Sequence, residues 1–391
     1  GTVDREWGGG RVLTHSGSNT MWYCVAWVAP LQNMAVLVAC NQGGDEAAKA
    51  CDIAATLLIG RERARQQSSS SARWTWDDVS DRTWIGPDFW ANRLQDWRVH
   101  DGRVECIERR AKMAQRTCHL LPWSIACPPD PFSKTTRGFD RIGTGFRLSV
   151  DTGAMDPDAA PDPHAWSGLL LGAGGGHVDH RLAAQVHHVP AEDGGLLCLV
   201  DELGRVSIRH NDRPLASQSS WAISRRIDTK HLPELDGVVR GAAPPVLDRP
   251  FDGWLEVDVK LSGSSTCTVT VRSALQPHTV FDEVVAEDVD RSLVDGSIAL
   301  VSHGGATGGS GGHWFDDLQI QGDILSHDPD RAWGPVLMVQ YTISDSVLNM
   351  TAQLPPLGSG DERTGILDLL DPTTNTWIEA AVSDMDPDAR T

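Results

Sequence analysis

Three polar clusters carry residue types that could do chemistry. The sharpest is His15-Ser16-Gly17-Ser18-Asn19, preceded by Trp7-Gly8-Gly9-Gly10. It sets an imidazole and hydroxyls beside a backbone position with no side chain, as a substrate-lining strand would; the plainer reading is a polar turn ahead of a hairpin. The second is His177-Val178-Asp179-His180 with His187-His188. Its His-x-x-His spacing is not the i, i+4 pair of a helical zinc site and no glutamate base follows, so a polar sheet edge is the better reading. The adjoining Gly172-Ala173-Gly174-Gly175-Gly176 imitates a phosphate cradle, but the dinucleotide pattern needs a third glycine where His177 stands and a βαβ unit around it. The third cluster is Asp151, Asp156, Asp158 and Asp162 among prolines. It lacks the alternating ligands, central glycine and closing glutamate of an EF-hand, which leaves a solvated acidic loop or a loose Ca²⁺ site. No other cofactor is indicated.

The eight cysteines (Cys24, Cys40, Cys51, Cys106, Cys118, Cys127, Cys198, Cys267) include no C-x-x-C pair. A zinc ribbon and a thioredoxin-type motif are therefore excluded. They read as small buried hydrophobes, or as one or two disulfides in an oxidising compartment with Cys106, Cys118 and Cys127 as bridge donors. The chain has 34 basic and 53 acidic residues over 391 positions, a net charge of −19. That argues against a nucleic-acid partner and against docking on anionic lipid, both of which need fields of Lys and Arg. No apolar run reaches the roughly 18 residues of a spanning helix.

The elements that must position these clusters fall into three regions. Residues 12–66 read as three strands and a helix: apolar runs over 21–29 and 34–40 flank a short turn, so they should pair antiparallel. Asp45 is the expected N-cap, and Ala47, Ala48, Cys51, Ala54, Ala55 and Leu58 form one apolar face. The region is assigned to 1–62, followed by a Ser-rich linker over 63–72. From 73 to 323, short alternating strands stand between Asp-Gly turns, as in 254–261, where Leu255, Val257, Val259 and Leu261 share a face. With no helical periodicity, this predicts an antiparallel β-sandwich. Tryptophan, at 15 residues against 2 tyrosines, would serve it as core filler and as a sugar platform. Residues 324–391 carry four more strand runs and read as a smaller β-domain cut by the chain end. The chain also opens without a Met or a leader, inside a patterned segment, which predicts a fragment.

With its strand–strand–helix context, His15-Ser16-Gly17 resembles the K-T-G or H-x-G strand at the C-terminal end of class C-type serine β-lactamases and related esterases. The resemblance covers residues 1–62 and implies that His15, Ser16 and Gly17 line a substrate site. That family also needs an upstream S-x-x-K nucleophile. Nothing precedes Gly1, and neither Ser133-Lys134 nor Ser224-Arg225 supplies the pattern, so the three residues are half a site and no acyl-enzyme can form.

Residues 73–391 resemble the concanavalin-like, laminin-G-like sandwich and β-domain ahead of the catalytic part of PhoD-like (alkaline phosphatase D family) proteins. This rests on Trp84-Ile85-Gly86-Pro87-Asp88-Phe89-Trp90, Asp179-His180-Arg181, His313-Trp314-Phe315-Asp316-Asp317-Leu318 and Trp333-Gly334-Pro335-Val336. The expected whole is mostly β: a large antiparallel concanavalin-like sandwich between an N-terminal hairpin-plus-helix fragment and a small C-terminal β-domain. The resemblances imply a piece of a multi-domain hydrolase, inactive alone, whose catalytic domain is missing from the chain. The alternative is an accessory or carbohydrate-binding region of a PhoD-like phosphatase, taking a glycan or small molecule. Both families imply a secreted or periplasmic location.

Overall fold

The computed structural model describes all residues except 20, 33, 68–70, 109–114, 128–143, 214–230, 263–264, 276–278, 306–311, 372, 375 and 387–391. The N-terminal unit is an antiparallel sheet in the order β1-β2-β3-β4. Its strands are β1 (Thr2–Arg5), β2 (Gly10–Ser18), β3 (Tyr23–Ala29) and β4 (Met34–Cys40), one strand more than the pattern predicts. The helix α1 (Asp45–Gln67) lies across β3 and β4. Asp45 is its first residue rather than a preceding cap. Its buried face is Ala47, Cys51, Ala55 and Ile59, an i, i+4 row packed on Val25 and Val36. Leu58, expected on that face, is exposed, because the row advances by four residues at each step and passes it by. The linker expected over 63–72 is also shorter: α1 runs to Gln67, and β5 (Ser71–Trp74) already pairs with a sandwich strand.

The sandwich strands are β6 (Phe89–Ala91), β7 (Trp97–His100), β8 (Arg103–Cys106), β9 (Arg116–Ile125), β10 (Gly145–Ala154) and β11 (Ala165–Ala173), followed after the helix α2 (His180–Val186) by β12 (Leu196–Asp201) and β13 (Val206–His210). Then come β14 (Val238–Arg240), β15 (Asp252–Leu261), β16 (Thr266–Leu275), β17 (Thr279–Asp290), β18 (Gly296–Gly304), β19 (His313–Gly322) and β20 (Leu325–His327). They form a nine-stranded sheet in the order β14-β17-β16-β15-β10-β19-β8-β7, with β5 also on β19. A seven-stranded sheet in the order β13-β12-β11-β18-β9-β20, with β6 also on β9, faces it.

Alternation builds the core between the sheets. Leu255, Val257 and Val259 of β15 and Leu148 and Val150 of β10 meet Leu169, Leu171, Cys198 and Leu300 of the facing sheet, all of them sealed from solvent. The seven-stranded sheet is buried on its other face as well. There Trp166, Leu170, Leu197, Leu199, Ala299 and Val301 form a second cluster under Leu232 and Val189, and α2 packs on β9 and β18. A sheet covered on both sides has continuous apolar strands, as in β11 with its run Leu169-Leu170-Leu171. The glycine run of the sequence serves this packing. Gly172 sits at φ +74°, where an added Cβ would come within 2.3 Å of the Leu293 carbonyl oxygen.

After the sandwich the chain forms two separate hairpins, β21 (Met338–Ser344) with β22 (Val347–Gln353) and β23 (Thr364–Asp371) with β24 (Thr376–Asp384). Their strands are almost wholly exposed. Trp333 ties this region to the sandwich, meeting Trp90 edge-on at 4.5 Å and donating its indole N–H to the Phe89 carbonyl at 2.7 Å. An Arg82–Asp361 ion pair adds a second tie.

Leu300 is 1% exposed at the centre of the inter-sheet core. Leu300→Ala should therefore cost about 2–5 kcal/mol of unfolding free energy, read from a urea titration.

Candidate functional site

The outer face of the nine-stranded sheet is the one large sheet face of the sandwich, among the described residues, that meets solvent with polar side chains. The alternation that sends Leu255, Val257 and Val259 inward sends Trp254, Glu256, Asp258 and Lys260 outward. On the neighbouring strands the same parity turns out Arg147, Ser149 and Asp151 of β10 and Thr268, Thr270 and Arg272 of β16. Trp314, Asp316, Gln319 and Gln321 of β19 complete the face.

Charge alternates across these strands. Arg272 donates to Glu256 at 3.1 Å and pairs with Glu283 on its other side. Arg147 lies 3.5 Å from Glu256 and 3.4 Å from Asp258, which Lys260 approaches at 3.7 Å. On the far side Glu105 accepts from Arg98 at 2.8 Å and from Arg103 at 3.0 Å. The network lays the long basic side chains across the sheet over Glu105, Glu256 and Asp258, which are buried, so that Arg147 and Lys260 present their charge to solvent. Shallow grooves of about 280 and 740 Å³ run along this face and share Arg147 and Gln321.

Between the two charged patches lies the least regular part of the face. The β10–β19 register shifts between Ser149 and Asp151, and Asp317 takes φ +47°. This bulge sets Asp316 directly opposite Asp151, which is opposite Trp254 on its other side. Burial, and then the nearby Asp77, push the Asp316 carboxyl above its ordinary range, and its Oδ1 has no hydrogen-bond partner. Arg73, 63% exposed, pairs with Asp317 at the edge of this acidic patch, and its guanidinium is held charged by that partner first and by Asp316 and Asp151 beyond it. Trp314 lies down over Gly153, where a Cβ would come within 2.8 Å of its indole nitrogen, and the Arg103 guanidinium stands 5.3 Å from its ring centre. Trp254 and Trp314 are both half-buried, whereas Trp76, Trp84, Trp97, Trp123 and Trp166 are core filler.

The residues singled out from the sequence are scattered. His15, Ser16 and Gly17 sit within β2, in the four-stranded sheet, with His15 opposite Ala26. They are part of a strand, not a turn, and His15 and Ser16 are exposed. Ser133, Lys134, Ser224 and Arg225 lie outside the described residues. The expected polar sheet edge at 177–188 is instead a short turn and α2, with Asp179 accepting from the Arg181 N–H as an N-cap at 3.0 Å. His187 and His188 are buried against the seven-stranded sheet beside His119, whose imidazole burial pushes down to about 3. Of the four aspartates read as an acidic loop, Asp151 belongs to β10; Asp162 donates its backbone N–H to Glu202 at 2.6 Å. All eight cysteines are unbridged, Cys106 and Cys118 among them, and burial pushes the Cys106 thiol up to about 12. Among the described residues, no three His, Cys, Asp or Glu side chains converge as metal ligands would, and no helix is long and apolar enough to cross a membrane.

One buried array imitates a nucleophile triad. Ser302 Oγ is 2.9 Å from His313 Nδ1, and His313 Nε2 is 3.8 Å from Glu202 Oε1. All three are at most 2% exposed, so no substrate reaches the hydroxyl. Burial drives the His313 imidazole down to about 3 and the Glu202 carboxyl up to about 7. Between those two values the favoured form is a neutral histidine beside a carboxyl that holds its proton, and the carboxyl gives it up as pH rises through about 7.

No protein-family model matches this chain, and no curated protein sequence matches it. Solved structures similar to it include lectin II from Ulex europaeus, at 11% identity over 65% of this chain and 99% of that chain, with a TM-score of 0.34. The carbohydrate recognition domain of Emp47p is similar at 11% identity over 60% and 88% of the two chains, with a TM-score of 0.34. Alginate lyase Aly36B is similar at 12% identity over 64% and 96%, with a TM-score of 0.33. At these identities and scores, none of them assigns a function to this chain.

A buried acid with a raised pKa favours the fold while protonated, and its contribution is lost as pH rises through the folded value. The protein should therefore lose roughly 3 kcal/mol relative to Glu202→Gln between about pH 4.5 and pH 8, bracketing the shift from 4.5 to about 7. Urea titrations of both proteins across that range check it.

Proposed function

We propose that the sandwich is a non-catalytic carbohydrate-binding module that holds a polysaccharide along the outer face of its nine-stranded sheet. The observation that carries this reading is the composition of that face: two half-buried tryptophans, Trp254 and Trp314, set among in-register carboxylates, guanidiniums and amides. Sugar rings have an apolar C–H face and an equatorial rim of hydroxyls. An indole takes the first, and planar charged or amide groups take the second. Gln319, Gln321 and Arg147 line the grooves and supply such partners on either side of Ser149. The exposed breadth of the face suits a long chain better than a single sugar, since the grooves are shallow and open along the sheet.

This reading is the accessory-module alternative of the sequence. The hydrolase reading through His15, Ser16 and Gly17 draws nothing from this face, because those residues stand in a different sheet.

Affinity electrophoresis through gels containing galactan, xylan, mixed-linkage glucan or alginate tests the proposal. At least one polysaccharide should retard the protein. Trp254→Ala and Arg147→Gln should each weaken that retardation about tenfold or more while leaving the melting temperature within a few degrees. Release of reducing ends from the same polysaccharides should stay at background. No retardation in any gel, or retardation that both variants retain in full, would overturn the reading.

A further inference from the structure

The helix α2 is lightly held on the seven-stranded sheet. Of its seven residues only Ala183 and Ala184 are buried, while Leu182 and Val186 are 52% and 39% exposed. Asp179 caps its first turn, and the His187 N–H closes its last on the Ala183 carbonyl at 3.0 Å. The two residues that follow, His187 and His188, are buried. The docking of this segment on β9 thus rests on two methyl groups and two imidazoles, little apolar contact for a segment that covers a sheet.

Beneath it lies a polar layer that is poorly satisfied. His119 of β9, 1% exposed, is flanked in the sheet by Trp90 of β6 and Ala299 of β18. Among the described residues, neither of its ring nitrogens has a hydrogen-bond partner, and nor have His187 Nδ1, His188 Nε2 or Thr117 Oγ1. His188 Nδ1 lies 2.9 Å from the Gln185 carbonyl oxygen and 3.1 Å from Asn92 Nδ2. The Asn211 amide donates to the carbonyls of His187 at 3.3 Å and Gly194 at 2.9 Å, and takes the Gln115 amide at 3.0 Å. Apolar side chains would fill the space of the three rings without leaving bare nitrogens. What three imidazoles add is a response to pH.

The surroundings disfavour a proton on these rings while the helix is docked. Burial is the first cause that pushes each imidazole below its ordinary range, His119 down to about 3, and His187 and then His188 push His119 further. Arg116, His187 and Arg93 act on His188 in the same sense. Both guanidiniums are paired with Asp96, and Arg116 lies 3.7 Å from Glu108. Asp193 acts on His187 the other way. At the head of α2, His180 is pushed down by burial and then by Arg331, with Arg181 adding to this and Asp179 and Asp328 opposing it. A ring that is neutral when docked and takes a proton when released favours docking at neutral pH. That contribution is lost as pH falls below the ordinary imidazole value of 6.5 toward the docked value.

We propose that α2, with His187 and His188 behind it, is an acid-released cover. Mild acid protonates His119, His187 and His188 as the helix lifts from β9. Repulsion among the three cations and their hydration then hold the segment off, and the outer face of the seven-stranded sheet around His119 is bared. Release here is independent of the polysaccharide face, which lies on the opposite sheet.

Hydrogen exchange of the full chain at about pH 7.5 and about pH 5, corrected for intrinsic rates and read by mass spectrometry, tests this. Protection of the amides over 182–188 should fall at least about 30-fold between the two, the share of one imidazole that moves from 6.5 when released to about 3 when docked. The amides of β15 and β16 should keep their protection. His119→Gln removes that titration and should shrink the fall by about 30-fold. Should His119→Gln fail to fold, His188→Gln decides in its place, shrinking the fall severalfold. Equal protection of 182–188 at both pH values, a fall that β15 and β16 share in full, or a fall that the folded variant retains undiminished overturns the proposal.

Discussion

Packing the inner faces of the two large sheets against each other is the interaction on which the rest of the molecule depends. Leu148, Val150, Leu255, Val257 and Val259 on one side and Leu169, Leu171, Cys198 and Leu300 on the other have no alternative burial. Once they meet, every residue of opposite parity on these strands faces outward, and the two sheets treat that outer face differently. The seven-stranded sheet covers its own with α2 and the chain around Val189 and Leu232. The nine-stranded sheet leaves its own to water, and must fill it with charged and amide side chains to stay soluble. The candidate binding face thus follows from an asymmetry in coverage between two otherwise similar sheets.

The same asymmetry explains where the buried polar groups collect. Covering the seven-stranded sheet on both sides traps His119, His187 and His188 in low-dielectric surroundings, where burial pushes each imidazole down toward its neutral form. Histidine clusters in the sequence therefore mark a covered sheet face rather than a metal centre. At the edge of the sandwich Arg240 links the two sheets, joining Asp282 of β17 to the Val206 carbonyl of β13.

The strands of the sandwich were legible in the sequence wherever period-two alternation is strong. The 254–261 run lies within β15, and the runs at 266–272, 296–301 and 314–320 lie within β16, β18 and β19. The sandwich class follows from those runs with their Asp-Gly turns. The all-apolar β11 carries no alternation, so its two-sided burial could not be read before the covering chain was seen. The helix α2 escaped notice because seven residues give less than two full turns of periodicity. The candidate face was hidden for a different reason. Trp254 and Trp314 are 60 positions apart in the chain and share a face only through the β15-β10-β19 order, and Asp316 reaches it through a bulge. Conversely, His15-Ser16-Gly17 drew attention as a compact motif, yet it lies on an exposed strand away from this face.

The central claim is that ligand lies on the outer face of the nine-stranded sheet. Carbene footprinting of the protein, free and saturated with whichever polysaccharide retards it, tests this most directly. Labelling should fall at Trp254, Arg147, Gln319 and Gln321 and stay unchanged on β2 and in the hairpins β21–β24. Protection confined to β2 or to those hairpins, or no protection on the sheet face, would contradict it.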